Sequence, residues 1–127
     1  MGHILELNHI NIETEDVDRS AKFYHDVIGL KSGDRPPFDR PGHWMYLDDM
    51  PIVHIIAPLP DKKLLTGSKD AAISHFALRI KSYEAMRDHL DDLAVPYTEV
   101  QIPGNVRRQL FVDDPDGVLV ELIHVPE

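Results

Sequence analysis

The feature that most constrains the fold is a repeat of element types along the 127-residue chain. Alternating and helically spaced apolar residues predict the order β-α-β-β-β twice, with a linker at 58–70 between the halves. Corresponding residues keep nearly constant spacing: His9 and His75, Trp44 and Leu110, and Asp48 and Asp114 are each 66 residues apart, and His54 and Glu121 are 67 apart. We therefore interpret the chain as one α+β domain, 1–127, made of two tandem βαβββ modules at 4–57 and 71–125.

The boundaries of the predicted elements follow from capping and turn residues. Thr14 and Ser82 are expected to cap the two helices, which run to Ile28 and about Leu93, and Gly29 is expected to end the first. The predicted strands are 6–13, 30–35, 43–47 and 52–57 in the first module, and 72–80, 97–102, 107–112 and 118–125 in the second. The proline-rich loop at 36–42 is either a lid or a simple connection, and Arg107 and Arg108 are expected to be solvated.

Composition excludes several classes of function. The formal charge of −9 and the pI near 5.2 argue against nucleic-acid binding, which needs a basic face. No apolar run approaches 18 residues and no export signal is apparent, so we expect no membrane partner. The absence of cysteine excludes disulfides and thiolate metal sites, and it fits a cytoplasmic location.

Four residues in register across the repeat carry the functional signal. Each helix should cover the more apolar face of its sheet, which in the fourth strands means Val53 and Ile55, and Val120 and Leu122. The opposite face of each sheet then receives one histidine from the first strand and one ligand-type residue from the fourth: His9, His54, His75 and Glu121.

Imidazoles together with a carboxylate suit a divalent first-row metal ion. Each histidine alone is more often a hydrogen-bonded core residue, and Glu121 alone could point to water from an edge strand. Jointly and in register the four residues favour a metal site, because a cation offsets the cost of burying Glu121.

Several motifs resemble the vicinal oxygen chelate superfamily, which includes glyoxalase I, extradiol dioxygenases, and fosfomycin- and bleomycin-resistance proteins. The resemblance covers essentially the whole chain, and the last of its motifs is the most specific. The motifs are Leu7-Asn8-His9-Ile10, Phe23-Tyr24 with Gly29-Leu30, Ser74-His75-Phe76-Ala77, and Phe111 to Gly117 followed by Val120-Glu121-Leu122.

The resemblance implies a half-open mixed β-barrel around a metal ion, a small-molecule substrate and a homodimer. His9, His75 and Glu121 match recurrent metal-ligand positions, and His54 matches the most variable one. The implied activity is that of a glyoxalase-like lyase or isomerase using Zn, Ni, Mn or Fe, with Glu121 and His54 as catalytic residues. Alternatives are an extradiol-type dioxygenase with a two-His, one-Glu iron site, a fosfomycin-resistance-like thiol transferase, and a metal-free binding protein.

Five further residues border the expected site and are candidates for substrate binding. The aromatic members and the glutamine could equally be packed in the core, and the arginine could pair with an acid at its strand end. These residues are Trp44, Tyr46, Arg79, Gln109 and Phe111.

Overall fold

A computed structural model describes residues 2–58, 73–101, 103–104 and 106–126. The chain divides into two compact units, Met1–Pro60 and Asp61–Glu127. Each unit contains one βαβββ module.

The first module contains four strands, one α-helix and one π-helical turn. In chain order they are β1 (Ile10–Glu13), α1 (Val17–Phe23), the π-helical turn (Tyr24–Ile28), β2 (Lys31–Gly33), β3 (Gly42–Leu47) and β4 (Met50–Ile56). The second module contains four strands and one helix: β5 (His75–Arg79), α2 (Tyr83–Asp92), β6 (Thr98–Gln101), β7 (Arg108–Asp113) and β8 (Leu119–His124). No helix among the described residues is long and apolar enough to span a bilayer.

The two sheets have the same topology. Their strand orders are β1-β4-β3-β2 and β5-β8-β7-β6, with the first pair of each sheet parallel and the other pairs antiparallel. The α+β class and the repeated βαβββ order are confirmed. Because β8 lies between β5 and β7, Glu121 is not on an edge strand.

The register within each sheet corrects one of the sequence equivalences. Trp44 pairs with His54, and Phe111 pairs with Glu121. The counterpart of Trp44 is therefore Phe111, 67 residues later, and not Leu110. A β-bulge between Met45 and Tyr46 further changes the pairing at the end of β3.

The first helix starts later than predicted and ends in a π-helical turn. Asp16, not Thr14, is the N-cap, since its side chain accepts a hydrogen bond from the Arg19 main-chain N–H. Thr14 instead accepts from the Asp16 N–H, which sets up the cap residue. Gly29 ends the turn in the left-handed region at φ 93°, as predicted.

The second helix begins at the predicted cap, with Ser82 accepting from the Ala85 N–H. Its C-terminus has a Schellman arrangement, in which Val95 N–H donates to Leu90 O and Ala94 N–H to Asp91 O. Ala94 has φ 55°, so a non-glycine residue occupies the left-handed position. The helix was predicted to run to about Leu93, but it ends one residue earlier, and Leu93 is 44% exposed where the chain turns away.

The apolar core of each module lies on the face of the sheet predicted to meet its helix. In the first module Met45, Val53 and Ile55 are fully buried, and α1 packs against β3 and β4. In the second module the fully buried apolar residues are Leu90, Leu110, Val112, Val120 and Leu122.

A cluster of charged and aromatic side chains joins α2 to β6 and β7. Arg108, which was expected to be solvated, is part of this cluster. Arg108 lies 3.7 Å above the Tyr83 ring and pairs with Glu84 at 2.7 Å. Tyr83 donates its hydroxyl proton to Glu99, and burial together with this hydrogen bond raises the pKa of Tyr83 to about 12. The expectation was wrong because the ring of Tyr83 provides a cation–π surface for the guanidinium.

Candidate metal centre

The face of each sheet away from its core carries the residues that the sequence pointed to. In the first sheet, alternation along β4 buries Val53 and Ile55 and places His54 on the opposite face. In the second sheet, Val120 and Leu122 are buried on one face and Glu121 lies on the other. His9 lies against His54 in the first module, and His75 lies against Glu121 in the second.

The first pair is part of a stack of three rings. The imidazoles of His9 and His54 are parallel, with centroids 3.8 Å apart, and the indole of Trp44 stacks on the other side of His54 at 4.1 Å. Trp44 reaches this position because it is the partner of His54 in the β3–β4 ladder. The stack fixes the plane of His54.

The surroundings of His54 favour the neutral imidazole over the charged one. Its Nε2 donates to the Pro51 main-chain carbonyl at 3.1 Å, which leaves Nδ1 with its lone pair. Burial, and then the nearby positive charges of His9 and Arg35, lower the pKa of His54, and the Pro51 hydrogen bond opposes them. A neutral imidazole can act as a metal ligand or as a general base.

The second pair is in direct contact. His75 Nε2 lies 3.1 Å from Glu121 Oε1, and Gln109 donates from Nε2 to the other carboxylate oxygen at 3.1 Å. Glu121 is only 6% exposed, whereas His75 is more accessible. The Phe111 ring meets His75 edge-on at 5.8 Å. These contacts explain how a carboxylate is accommodated in a buried strand position.

His9, which directly precedes β1, and His75, the first residue of β5, have matching neighbours. His9 Nδ1 is 2.8 Å from Asn8 Oδ1, and His75 Nδ1 is 2.8 Å from Ser74 Oγ. Since an amide oxygen only accepts, Nδ1 of His9 donates this hydrogen bond. Metal-binding histidines are oriented in this way, by a hydrogen bond from the ring nitrogen that does not ligate.

The His75–Glu121 pair fits a metal ion. Two donors about 2.1 Å from one ion are roughly 3.0 Å apart at an octahedral angle and roughly 3.4 Å apart at a tetrahedral one, and the observed 3.1 Å falls between these values as well as within the range of a hydrogen bond. In the described part of the chain no three His, Asp or Glu side chains form one group. A complete metal centre needs more donors than either pair holds by itself.

The other predicted residues differ in where they lie. Trp44, Gln109 and Phe111 contact one of the two pairs. Tyr46 does not, since its hydroxyl donates to the Asp34 main-chain carbonyl and its ring packs over Gly33. Arg79 donates to the Val125 carbonyl at 3.2 Å and lines a cavity of about 480 Å³ with Lys81 and His124.

Sequence reasoning missed the residues that orient the pairs. Asn8 and Ser74 were noted only as parts of motifs, although each directly precedes a candidate ligand, and this shared position was a usable signal. Arg35 and Arg40, near the ring stack, had no such signal because they lie in an irregular loop.

The sequence profile of the Glyoxalase/Bleomycin resistance protein/Dioxygenase superfamily matches residues 6–122. The chain belongs to this superfamily. The chain is similar in sequence to "Glyoxylase I 4" of Arabidopsis thaliana. The two are 29% identical over 126 residues, which cover 94% of this chain and 71% of the relative.

Solved structures of the superfamily have the same fold. A glyoxalase family protein from Bacillus anthracis superposes with a TM-score of 0.77 at 17% identity, covering 99% of both chains. Lactoylglutathione lyase from Agrobacterium tumefaciens superposes with a TM-score of 0.73 at 16% identity, covering 97% of this chain and 96% of the lyase. At these identities the likeness establishes the fold only.

Proposed function

We propose that this superfamily member is a divalent-metal enzyme of the glyoxalase type, a lyase or isomerase acting on a small molecule with neighbouring oxygen atoms. The observation that carries the proposal is the contact between His75 and the buried Glu121, two donors at ligand spacing. The relatives named glyoxylase I and lactoylglutathione lyase support the reaction class.

The proposed ligands are His9, His75 and Glu121, with His54 as the fourth, and each module supplies one pair. When bound, the ion polarises the neighbouring oxygens of the substrate and stabilises negative charge on them. Asn8 and Ser74 orient the imidazoles of His9 and His75, and Gln109 holds the Glu121 oxygen that faces away from His75. Glu121 is also the proposed base, since its carboxylate can accept a proton from the substrate carbon.

One observation favours a second candidate, an extradiol-type dioxygenase. His54 donates Nε2–H to Pro51 and is stacked between His9 and Trp44, so this nitrogen is already engaged. If His54 does not ligate, the set becomes two histidines and one glutamate, which is the ligand set of many non-haem Fe(II) oxygenases. His54 is then a base that lines the site.

Anaerobic reconstitution followed by two assays separates the candidates. The chelator-treated protein is loaded with Zn(II), Ni(II) or Fe(II) and assayed with a hemithioacetal and with a catechol. We expect uptake of about one ion per chain. We also expect hemithioacetal turnover with nickel or zinc that is lost in His54→Ala.

Ring cleavage that consumes dioxygen only in the iron form would support the dioxygenase in place of the lyase. A protein that takes up none of the three ions would contradict both candidates and favour metal-free ligand binding. Gln109→Glu is a useful comparison variant. It places a second carboxylate beside Glu121 and so perturbs the His75–Glu121 pair without removing a proposed ligand.

A further inference from the structure

Two arginines lie close together in the loop between β2 and β3 of the first module. Arg35 and Arg40 are half-buried, and Phe38 lies between them in the sequence. Half-buried charges are costly unless an acceptor or a counter-ion meets them. Two such cations in a chain of net charge −9 therefore need an explanation.

The protein itself satisfies these arginines only partly. Arg35 donates from Nη2 to the Arg40 main-chain carbonyl at 2.9 Å, and Arg40 donates from Nη2 to the Ala57 main-chain carbonyl. Within the described residues neither guanidinium has a carboxylate partner, and the Nε of each is buried without an acceptor. Both groups keep hydrogen-bonding capacity and an uncompensated charge.

The loop is built to hold Arg35 where it is. A Cβ atom at residue 42 would lie 2.7 Å from Arg35 Nη2 and would also clash with the Ile55 main-chain oxygen. Only glycine at this position lets the guanidinium lie against the backbone of β3. Pro36, Pro37 and Pro41 fix further backbone angles of the loop.

The arginine pair borders the ring stack of the candidate metal centre. The Arg35 guanidinium carbon lies 5.0 Å from the centroid of the Phe38 ring, and the Phe38 centroid is 6.3 Å from that of Trp44. Trp44 in turn stacks on His54. Cationic and apolar surfaces are thus adjacent in one module.

We propose that Arg35 and Arg40 bind the anionic group, a carboxylate or a phosphate, of a small molecule whose apolar part lies against Phe38 and Trp44. The planar guanidinium suits both anions, because it offers two parallel donors to two oxygens. The identification of this small molecule as the enzyme's substrate rests on the proposed function. The existence of the anion site does not.

The test uses the full-length, chelator-treated protein labelled with nitrogen-15. Benzoate, phenyl phosphate and the neutral benzamide are titrated, and the indole N–H signal of Trp44, the only tryptophan, reports binding. We expect the two anions to bind at least roughly 10-fold more tightly than benzamide, since charge-assisted hydrogen bonds are about twice as strong as neutral ones. The tighter of the two anions identifies the class of group.

Variants locate the site. Arg35→Gln and Arg40→Gln are each expected to weaken anion binding by roughly 10-fold or more, and Arg19→Gln, on the surface of α1, removes the same charge without effect.

The proposal is wrong if benzamide binds as tightly as the anions, a comparison that needs only the wild-type protein. It is also wrong if folded Arg35→Gln and Arg40→Gln proteins bind benzoate and phenyl phosphate as wild type does. Because the metal is removed, the two proposals fail separately. A protein that takes up metal but shows no preference for anions contradicts only this one, and the reverse result contradicts only the metal proposal.

Discussion

Glu121 is the residue on which the metal proposal depends most. Glu121→Gln keeps the size of the side chain and its contact with Gln109 but removes the charge. We expect metal occupancy to fall by roughly 10-fold or more, since even changes outside the ligand shell cause losses of that size. Metal analysis after dialysis at a fixed free-ion concentration measures the change.

Glu84→Gln is the matched control, because it removes an exposed carboxylate from the same module. Equal metal affinity in Glu121→Gln and wild type would remove Glu121 from the ligand set.

His54 should make stability depend on pH in the metal-free protein. Its pKa in the folded state is lowered, chiefly by burial, so the unfolded chain takes up this proton first as the pH falls. The contribution is fully present above the ordinary histidine pKa of about 6.5 and is lost as the pH falls through the lower folded value. Urea unfolding at neutral and mildly acidic pH should show a larger loss for wild type than for His54→Gln. Identical losses in the two proteins would show that another group controls this pH range.

Period-two alternation located both pairs, because Val53 and Ile55, like Val120 and Leu122, can only be buried on one face. The same reasoning could not give the ring stack or the Pro51 hydrogen bond of His54, which depend on side-chain rotation. Arg35 and Arg40 were out of reach for another reason. Their position depends on the shape of an irregular loop and on the close approach that Gly42 allows.

The C-terminal ends of the two helices offer a matched pair of substitutions. Gly29 and Ala94 both have positive φ, at 93° and 55°. Ala94→Gly should stabilise the protein by about 1 kcal/mol, because it relieves left-handed strain at a Schellman position. Gly29→Ala should destabilise it by about the same amount, since space is free around a Cβ there and only the backbone is strained.

The free energy of unfolding in denaturant measures both effects. Ala85→Gly, inside the same helix as the Ala94 cap, is the control and should cost about 1 kcal/mol. If both Ala→Gly changes destabilise, the φ value at Ala94 does not describe the protein in solution.

The start of the first helix was harder to predict than the glycine that ends it. Thr14 and Asp16 are both good N-cap residues, and the choice between them depends on where the chain leaves β1. Glycine after an apolar helical stretch leaves fewer alternatives, which is why Gly29 was identified. Nothing in the sequence pattern indicated the π-helical turn, because its apolar residues also fit α-helical spacing.

For the molecule as a whole, we expect a homodimer. The segments that lead into the edge strands β1 and β5 expose large apolar side chains, with Ile4, Leu5, Leu7 and Ile73 between 85% and 96% accessible. Exposed apolar surface of this kind is typical of an interface. Sedimentation should give about twice the 14.5 kDa chain mass at micromolar concentration. A monomer that still binds metal would mean that one chain supplies every ligand.

Mixing two inactive variants tests whether each metal site takes its ligands from one chain or from two. One variant carries His9→Ala and His54→Ala, and the other carries His75→Ala and Glu121→Gln. If each site takes its two pairs from different chains, refolding an equal mixture should restore about one quarter of wild-type metal binding. No recovery in a mixture proven to contain heterodimers would place all ligands within one chain.

The π-helical turn at Tyr24–Ile28 bears on how the two halves diverged. The N-cap residues of the two helices, Asp16 and Ser82, are 66 residues apart. The residues with positive φ that end the helices, Gly29 and Ala94, are 65 residues apart. The first helix therefore holds one more residue than the second, and a turn wider than an α-turn takes up that residue. A codon gained or lost there leaves the strands on either side in register. Descendants of one ancestral repeat could thus change length in the helix while His9 and His54 stayed opposite each other.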